Sequence, residues 1–315
     1  SRLNISPSRR RNAAVTDVLE PGSTMKPFTV AAALENGIDP NIIIPTGPGK
    51  YKVANRYVSD VHDYGPVSLR RLLVKSSNIG AAKLAATMSN QHFYSVLSRF
   101  GFGEKTDSGF PGESSAVLSA PNRWGPVEKA TISYGYGLSV TPLQIAQAYA
   151  ALANHGELVT PTFIKGGQTQ RRQAIKPEVA QSVLSMLEGV VSPEGTAIQA
   201  AIKGYRVAGK TGTSRRAVAG GYEKRYISLF AGVVPVEHPR FSMVVVVHEP
   251  TGSAYYGGLV SAPVFHNVMD GALRLMDVPP DNIGQWYADK KQPLPLPLQV
   301  PVPEDDLPPD TGVMP

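Results

Sequence analysis

Three features of the sequence predict an α+β fold. Apolar residues recur at helical spacing through most of the first 191 positions, strand-type runs gather after Tyr205, and one further helical pattern closes the series. Helices, then strands, then a helix is not the alternation of a parallel sheet. The connections between the strand runs are short, so they pair most simply as consecutive antiparallel strands. With 315 residues, 42% hydrophobic and 18% charged, the chain can bury a full core as one large or two smaller domains.

Taken in order, Gly22 and Ser23 open an apolar-periodic run that stops at Asn36-Gly37, which predicts a helix over about 23–34 with Pro27 in its first turn. A loop-rich stretch follows to Tyr64. VSLRRLLVK (67–75) reads as a short amphipathic helix that ends on SSN, IGAAKLAATM (79–88) as a buried helix, and HFYSVLSRF (92–100) as a third, stopping at Gly101. In SVTPLQIAQAYAALANHG, Thr141 is the expected N-cap, Pro142 the first helical residue, Gln144 the partner of a capping box, and Gly156 the end. Another helix is expected over 177–191. The strand runs are 205–213, 226–236 and 241–250, with turns at Gly220-Gly221 and at Glu237-His238-Pro239, and the closing helix covers 262–276. From 292 to 315 the chain is proline-rich, a composition that favours extended or solvated chain. No internal repeat is visible.

Composition excludes several kinds of chemistry. The formal charge is +6, with clusters at Arg9 to Arg11, at Arg171 and Arg172, and at Arg215 and Arg216. These read as solvated surface, compatible with a polyanionic or acidic-membrane neighbour; no zinc spacing, RNP-like run or interleaved aromatics point to nucleic acid. With no cysteine there are no disulfides, thiol catalysis or Cys-ligated metals, which suits an oxidising compartment. No two of the six histidines have the spacing of a helix-borne metal site, and none has the context of a Ser-His-Asp hydrolase. Neither a metal nor a cofactor is expected. No run of 18 apolar residues and no signal-type start are present, so any membrane anchor would lie in sequence outside this chain.

The chemistry gathers at three short motifs. In PGSTMKPF, Ser23 and Lys26 are three positions apart, so on a helix the amine can reach the hydroxyl. A serine hydroxyl becomes a nucleophile when a base takes its proton, and an amine can serve once burial or a neighbouring cation lowers its pKa. Alone, Ser-x-x-Lys is expected by chance roughly once in a chain of this size. In SSN, Ser76 offers a second hydroxyl for relaying protons, and Asn78 an amide for a substrate carbonyl or for Lys26 itself. KTGT (210–213) is sharper, with a chance expectation on the order of one in a hundred. Gly212 lets a ligand approach the strand edge, while Lys210, Thr211 and Thr213 could clamp a carboxylate. Backbone N–H groups of Ser23 and Thr213 are candidates for an oxyanion hole.

The order Ser-x-x-Lys, Ser-x-Asn, Lys-Thr-Gly is that of penicillin-recognising serine enzymes. More closely, EPGSTMKPF, KSSNIG, YGYGLSVTPLQIAQAYA, AGKTGTSRR and YYGGLVSAPVF resemble class B penicillin-binding proteins, in particular the division-specific D,D-transpeptidases of Gram-negative bacteria. The resemblance implies the penicillin-binding-protein/β-lactamase-like transpeptidase fold, with an all-helical subdomain beside the sheet, over residues 1–280, and residues 281–315 as a proline-rich tail. It implies that Ser23 is acylated by peptidoglycan stem peptides ending in D-Ala-D-Ala, or by β-lactams, with Lys26 as base, Ser76 as relay and Asn78 as substrate-holding amide. Lys210, Thr211 and Thr213 would bind the terminal carboxylate beside Gly212, and Tyr255 and Tyr256 would wall the cleft.

It further implies action at the division septum on the periplasmic face of the inner membrane, alongside divisome proteins that include a lipid-linked glycan polymerase. Family members carry an anchor, a pedestal domain and two sheet strands before the nucleophile helix, whereas only 22 residues precede Ser23, so these are expected outside this chain. Met25 stands where Val is commoner, a change of little volume. A D,D-carboxypeptidase, a non-catalytic β-lactam sensor and a class A β-lactamase share the logic. The last needs a carboxylate for deacylation, and Glu113 and Glu128 lie in the right region without its local pattern.

Overall fold

The computed structural model describes residues 11–218, 221–252 and 254–282. The proline-rich stretch, Arg9, Arg10 and the expected turn residue Gly220 lie outside them. The chain enters through a one-turn helix α1 (Ala13–Thr16), capped by the Asn12 side chain, and an isolated bridge between Leu19 and Val140. The helix expected from Ser23 is divided: a 3-10 turn over Gly22–Met25 leads into α2 (Lys26–Glu35). Pro27 is the second residue of α2, where its missing N–H has no intrahelical partner to lose. Every residue of α2 from Lys26 to Ala33 is buried, as its nearly continuous small and apolar sequence requires. Phe28 sits edge-on to Phe100, Phe102 and Tyr149 at 4.8, 5.0 and 5.5 Å, which fixes the rotation of this helix in the core.

The stretch read as loop contains short strands. β1 (Ile43–Pro45) pairs with β4 (Pro66–Ser68), and between them β2 (Lys50–Val53) and β3 (Arg56–Ser59) form an antiparallel hairpin. Strands of three or four residues are too short for a period to emerge, and most of β2 and β3 is exposed or half-buried. α3 (Leu69–Lys75), α4 (Asn78–Ala86) and α5 (Asn90–Arg99) follow as expected, capped by Ser68, Ser77 and Ser89. An unanticipated helix, α6 (Pro126–Ser133), starts on a proline and packs on α4. α7 (Pro142–Ala153) has the predicted capping box: the Gln144 backbone N–H donates to the Thr141 hydroxyl at 3.1 Å, and the Gln144 side chain accepts from the Thr141 N–H at 2.7 Å. A small hairpin of β5 (Glu157–Val159) and β6 (Arg171–Gln173) precedes α8 (Pro177–Glu188), which ends in a 3-10 turn over Gly189–Val191. Arg171 and Arg172 pair with Glu157 and Glu104, a partnered surface.

The sheet is antiparallel, in the order β7 (Ala208–Val218), β8 (Gly221–Val234), β9 (Phe241–His248). β7 begins three residues after Tyr205, which instead forms a bridge with Ile202, and runs past the KTGT motif to a bulge between Arg215 and Ala217. α9 (Gly257–Leu275) starts five residues before the expected Ala262. Its first residue lies so close to the sheet that a Cβ on Gly257 would fall 2.1 Å from the Leu229 carbonyl oxygen. Further along, Phe265 meets Phe230 edge-on at 4.9 Å. One continuous apolar core runs from α2 through α7 and α8 to the inner face of β8; α2 packs among α3, α4, α5 and α8, and the 3-10 turn that precedes it lies against β7 and β8. Replacing Thr141 by Ala removes the hydroxyl that accepts the Gln144 N–H, leaving only the backbone half of the α7 capping box, and is expected to lower stability by about 0.5–2 kcal/mol; urea unfolding of the two chains measures it.

Candidate active site

Ser23 and Lys26 are placed by a tight turn. Its first residue, Gly22, donates its N–H to the Gly135 carbonyl at 3.0 Å, and the Thr24 hydroxyl donates to the Pro21 carbonyl at 2.7 Å. From the start of α2 the Lys26 amine reaches back to Ser23 Oγ at 3.0 Å and across to Ser76, contacting its Oγ at 3.0 Å and its carbonyl oxygen more closely still. Lys26 is fully buried. Burial pushes its amine down to about 7, against a smaller upward pull from the Asp60 carboxylate.

Ser76 sits at the junction of α3 and α4 with φ of 60°, a left-handed conformation that costs a serine on the order of 1 kcal/mol and turns its hydroxyl and carbonyl toward Lys26. Asn78 opens α4. Its side-chain amide donates to the Ser59 carbonyl at 3.2 Å, on β3, rather than to Lys26, so of the two options for this amide the lysine contact is not made. The Asp60 carboxylate accepts from the Ser77 hydroxyl at 2.5 Å and from the N–H groups of Asn78 and Ile79 at 2.5 and 3.1 Å.

The third motif arrives on β7. Lys210, also fully buried, donates to Ser76 Oγ at 2.9 Å and to the Thr211 carbonyl at 3.2 Å. Its pKa is pushed far down by burial and then by Lys26. The Thr211 hydroxyl lies 2.8 Å from that of Thr196, and Thr213 Oγ1 accepts from the first N–H of α9, that of Gly257, at 3.1 Å. With that acceptor position filled, the Thr213 hydroxyl can direct its own proton to a ligand. Gly212 passes the nucleophile turn closely: a Cβ there would stand 3.0 Å from both the Pro21 carbonyl oxygen and the Thr24 methyl. The Tyr136 hydroxyl donates to the Thr213 carbonyl at 3.4 Å.

Seven of the residues singled out in the sequence (Ser23, Lys26, Ser76, Asn78, Lys210, Thr211 and Thr213) thus meet around one chain of contacts, Ser23–Lys26–Ser76–Lys210, with each link near 3 Å. Tyr255 and Tyr256 stand just before α9. Tyr255 stacks on Tyr226 of β8 at 4.2 Å and 15°, and its ring lies 4.6 Å from that of Tyr256. Asp60, Thr196, Tyr136 and Tyr226 escaped the sequence reading as individuals. Only Tyr136, within the YGYG run, had a local signal. Glu113 is fully engaged in its own loop, accepting from the N–H and hydroxyl groups of both Thr106 and Ser108. Among the described residues no group of three or more His, Asp or Glu could hold a metal ion, and no helix is long and apolar enough to cross a membrane.

A sheet backed by helices brings a serine, two buried amines and a bridging hydroxyl together at their junction. Residues 3–270 match the penicillin binding protein transpeptidase domain, and the chain belongs to that family. It is 42% identical over 274 residues to the peptidoglycan D,D-transpeptidase FtsI of Escherichia coli K12, covering 86% of this chain and 46% of that protein. To the probable peptidoglycan D,D-transpeptidase PenA of Neisseria flavescens it is 41% identical over 275 residues, 86% of this chain and 68% of that one. The apo transpeptidase domain of Burkholderia pseudomallei penicillin-binding protein 3 has a similar structure, with a TM-score of 0.82 at 41% identity over 87% of this chain and 84% of that one. The chain therefore spans about half the length of the E. coli relative. Gly135, at φ of 91°, leaves no room for a side chain, since a Cβ would fall 1.9 Å from the Gly22 carbonyl oxygen. Gly135→Ala is expected to shift the Ser23 turn and cut acylation on the order of a hundredfold in protein that still unfolds cooperatively; labelling kinetics beside a melting curve checks it.

Proposed function

We propose that this chain is the catalytic unit of a peptidoglycan D,D-transpeptidase, acylated on Ser23 by stem peptides ending in D-Ala-D-Ala and by β-lactams. The single observation that carries the reading is the Lys26 amine, buried and 3.0 Å from both Ser23 Oγ and Ser76 Oγ. A neutral amine there donates two N–H groups to the Ser76 carbonyl and hydroxyl and turns its lone pair on the Ser23 proton. Ser23 Oγ then attacks the penultimate D-Ala carbonyl, and the proton passes to Lys26. Collapse of the tetrahedral intermediate breaks the amide C–N bond, and the departing D-Ala nitrogen receives a proton through the Ser76 hydroxyl. An amine of a neighbouring stem attacks the ester, loses its proton by the same route and returns Ser23 to its starting state. The N–H groups of Ser23 and Thr213 would hold the oxyanion, Asn78 the substrate amide, and Lys210, Thr211 and Thr213 the terminal carboxylate, with Tyr255 and Tyr256 as the outer wall.

Two adjacent buried amines disfavour two charges, and the ligand resolves the conflict. A carboxylate bound beside Lys210 holds the positive charge there, and repulsion from it favours the neutral form of Lys26. Residues 1–280 form the transpeptidase unit in this reading and 281–315 a tail. Likeness to FtsI and PenA supports action at the septum on the periplasmic face of the inner membrane, and it is the sole support for divisome partners such as a lipid-linked glycan polymerase.

Incubation with a fluorescent penicillin is expected to label Ser23 for many minutes, whereas Lys26→Ala should fold and remain unlabelled. Rapid loss of label with drug hydrolysis would point to a β-lactamase, and exchange of a D-amino acid into a stem-peptide analogue separates an enzyme from a sensor. Acylation should rise with pH as Lys26 loses its proton around 7. That rise should come at lower pH for a carboxylate-bearing ligand than for its methyl ester, and identical profiles would contradict the charge-sharing account.

A further inference from the structure

The carboxylate of Asp60 is used by nothing in the reaction described above, yet it is the most heavily bonded side chain bordering the site. It follows β3 directly, so it is delivered by the β2–β3 hairpin, and it receives the Ser77 hydroxyl and the first two N–H groups of α4. Beside it, the Ser59 carbonyl holds the Asn78 side chain. These bonds span the junction that carries Ser76 and Asn78. The hairpin is also held by the Lys83 amine over the Tyr51 ring at 4.8 Å and by Tyr51 and Val53 packing beside Tyr134. Its contribution to packing is a small cluster of Val58 with Ile79, Ala82 and Ala130, and a cavity of about 470 Å³ lies between the hairpin, α4 and α6. A carboxylate at the start of a nine-residue helix is favourable wherever it occurs, so capping alone would explain three bonds. It does not explain the placement: Ser77, whose hydroxyl Asp60 holds, directly follows Ser76, whose carbonyl and hydroxyl take the Lys26 amine, so the carboxylate stands one residue behind the contact that positions the base, where a negative charge favours the ammonium form.

We propose that Asp60 is a positioning residue of the acyl-transfer site: it locks the Ser76-Ser77-Asn78 junction to the hairpin and sets a negative charge opposite the Lys26 amine. The two functions are separable. An amide oxygen can still accept from the Asn78 and Ile79 N–H groups, and the amide NH2 can donate to the Ser77 hydroxyl in place of accepting from it. The influence on Lys26 needs the charge. The groups facing Lys26 are Lys210 from β7 and Asp60 from the hairpin; Tyr64, near Asp60 and pushed up to about 12 by burial and then by that carboxylate, stays neutral. Removing the Asp60 charge makes the Lys26 ammonium less favourable, so its proton leaves at lower pH.

The inference rests on the transpeptidase reading, and one set of measurements tests them apart. Acylation rates of the full chain by a fluorescent penicillin are measured across pH for the unsubstituted protein, Asp60→Ala and Asp60→Asn, beside a melting curve for each. Asp60→Ala is expected to acylate more slowly by on the order of tenfold to a hundredfold. Asp60→Asn should recover most of that rate, with the rise in rate displaced to lower pH. An Asp60→Ala protein that acylates at the original rate overturns the proposal, as does an Asp60→Asn protein whose pH profile is unmoved, since a purely structural cap would leave the profile where it was. If Asp60→Ala does not fold, the Asp60→Asn profile decides alone. No acylation of the unsubstituted chain would overturn the transpeptidase reading itself, and this inference with it.

Discussion

The contact on which everything else depends is that of one buried amine with two hydroxyls from distant parts of the chain. Lys26 has no water to solvate a charge, and its three donor positions are matched by Ser23 Oγ, Ser76 Oγ and the Ser76 carbonyl. The same three neighbours suit the neutral amine, with the lone pair taking the place of the third N–H. The site can therefore change protonation state without moving atoms, which is what electrostatic preorganisation requires. Burying an ammonium costs several kcal/mol even after relaxation, and here two amines lie side by side, both drawn toward the neutral form by burial. The apolar packing around α2, β7 and β8 must offset that cost.

The close packing of those elements follows from the same requirement. Ser23, Ser76 and Lys210 can meet only if a turn, a helix junction and a strand approach to within hydrogen-bonding distance. At the points of approach the chain uses glycine: Gly135 under the nucleophile turn, and Gly257 where α9 starts against the sheet. Ser76 contributes differently, holding a left-handed conformation that a serine adopts only under constraint from both flanking helices. Six other non-glycine residues among the described ones, Ala54, Asp107, Ala116, His155, Glu249 and Asp277, also have positive φ, but Ser76 is the one whose conformation turns a hydroxyl and a carbonyl onto Lys26.

What was legible in the sequence divides along physical lines. α7, with Thr141, Pro142 and Gln144 in place, could be read from local chemistry because its cap is local. The strands of the main sheet were legible as β-branched runs, but their ends were not: β7 outlasts its apolar residues because Ser214 and Arg215 still pair with β8. The hairpin over 50–59 and α6 were missed, since short half-exposed strands and a polar eight-residue helix have little periodicity. Within the site, the motif residues were recoverable because each motif is compact in sequence. Asp60 and Thr196 were not, since each acts through a partner far along the chain: Ser77 and Asn78 for the first, Thr211 for the second. Spacing rules cannot see such pairs.

The relation between the two lysines suggests why the motifs come on separate elements at all. Were Lys210 on the same helix as Lys26, nothing a ligand did could change the repulsion between them. Because Lys210 is on the strand that also presents Thr211 and Thr213, a carboxylate bound along that strand acts directly on the charge of Lys210, and through the shared Ser76 hydroxyl on the base. On the proposed function, recognition of a terminal carboxylate and activation of Ser23 are one electrostatic event. A ligand without that carboxylate can occupy the cleft and still leave the proton on Lys26, which would make the site selective in rate as well as in binding.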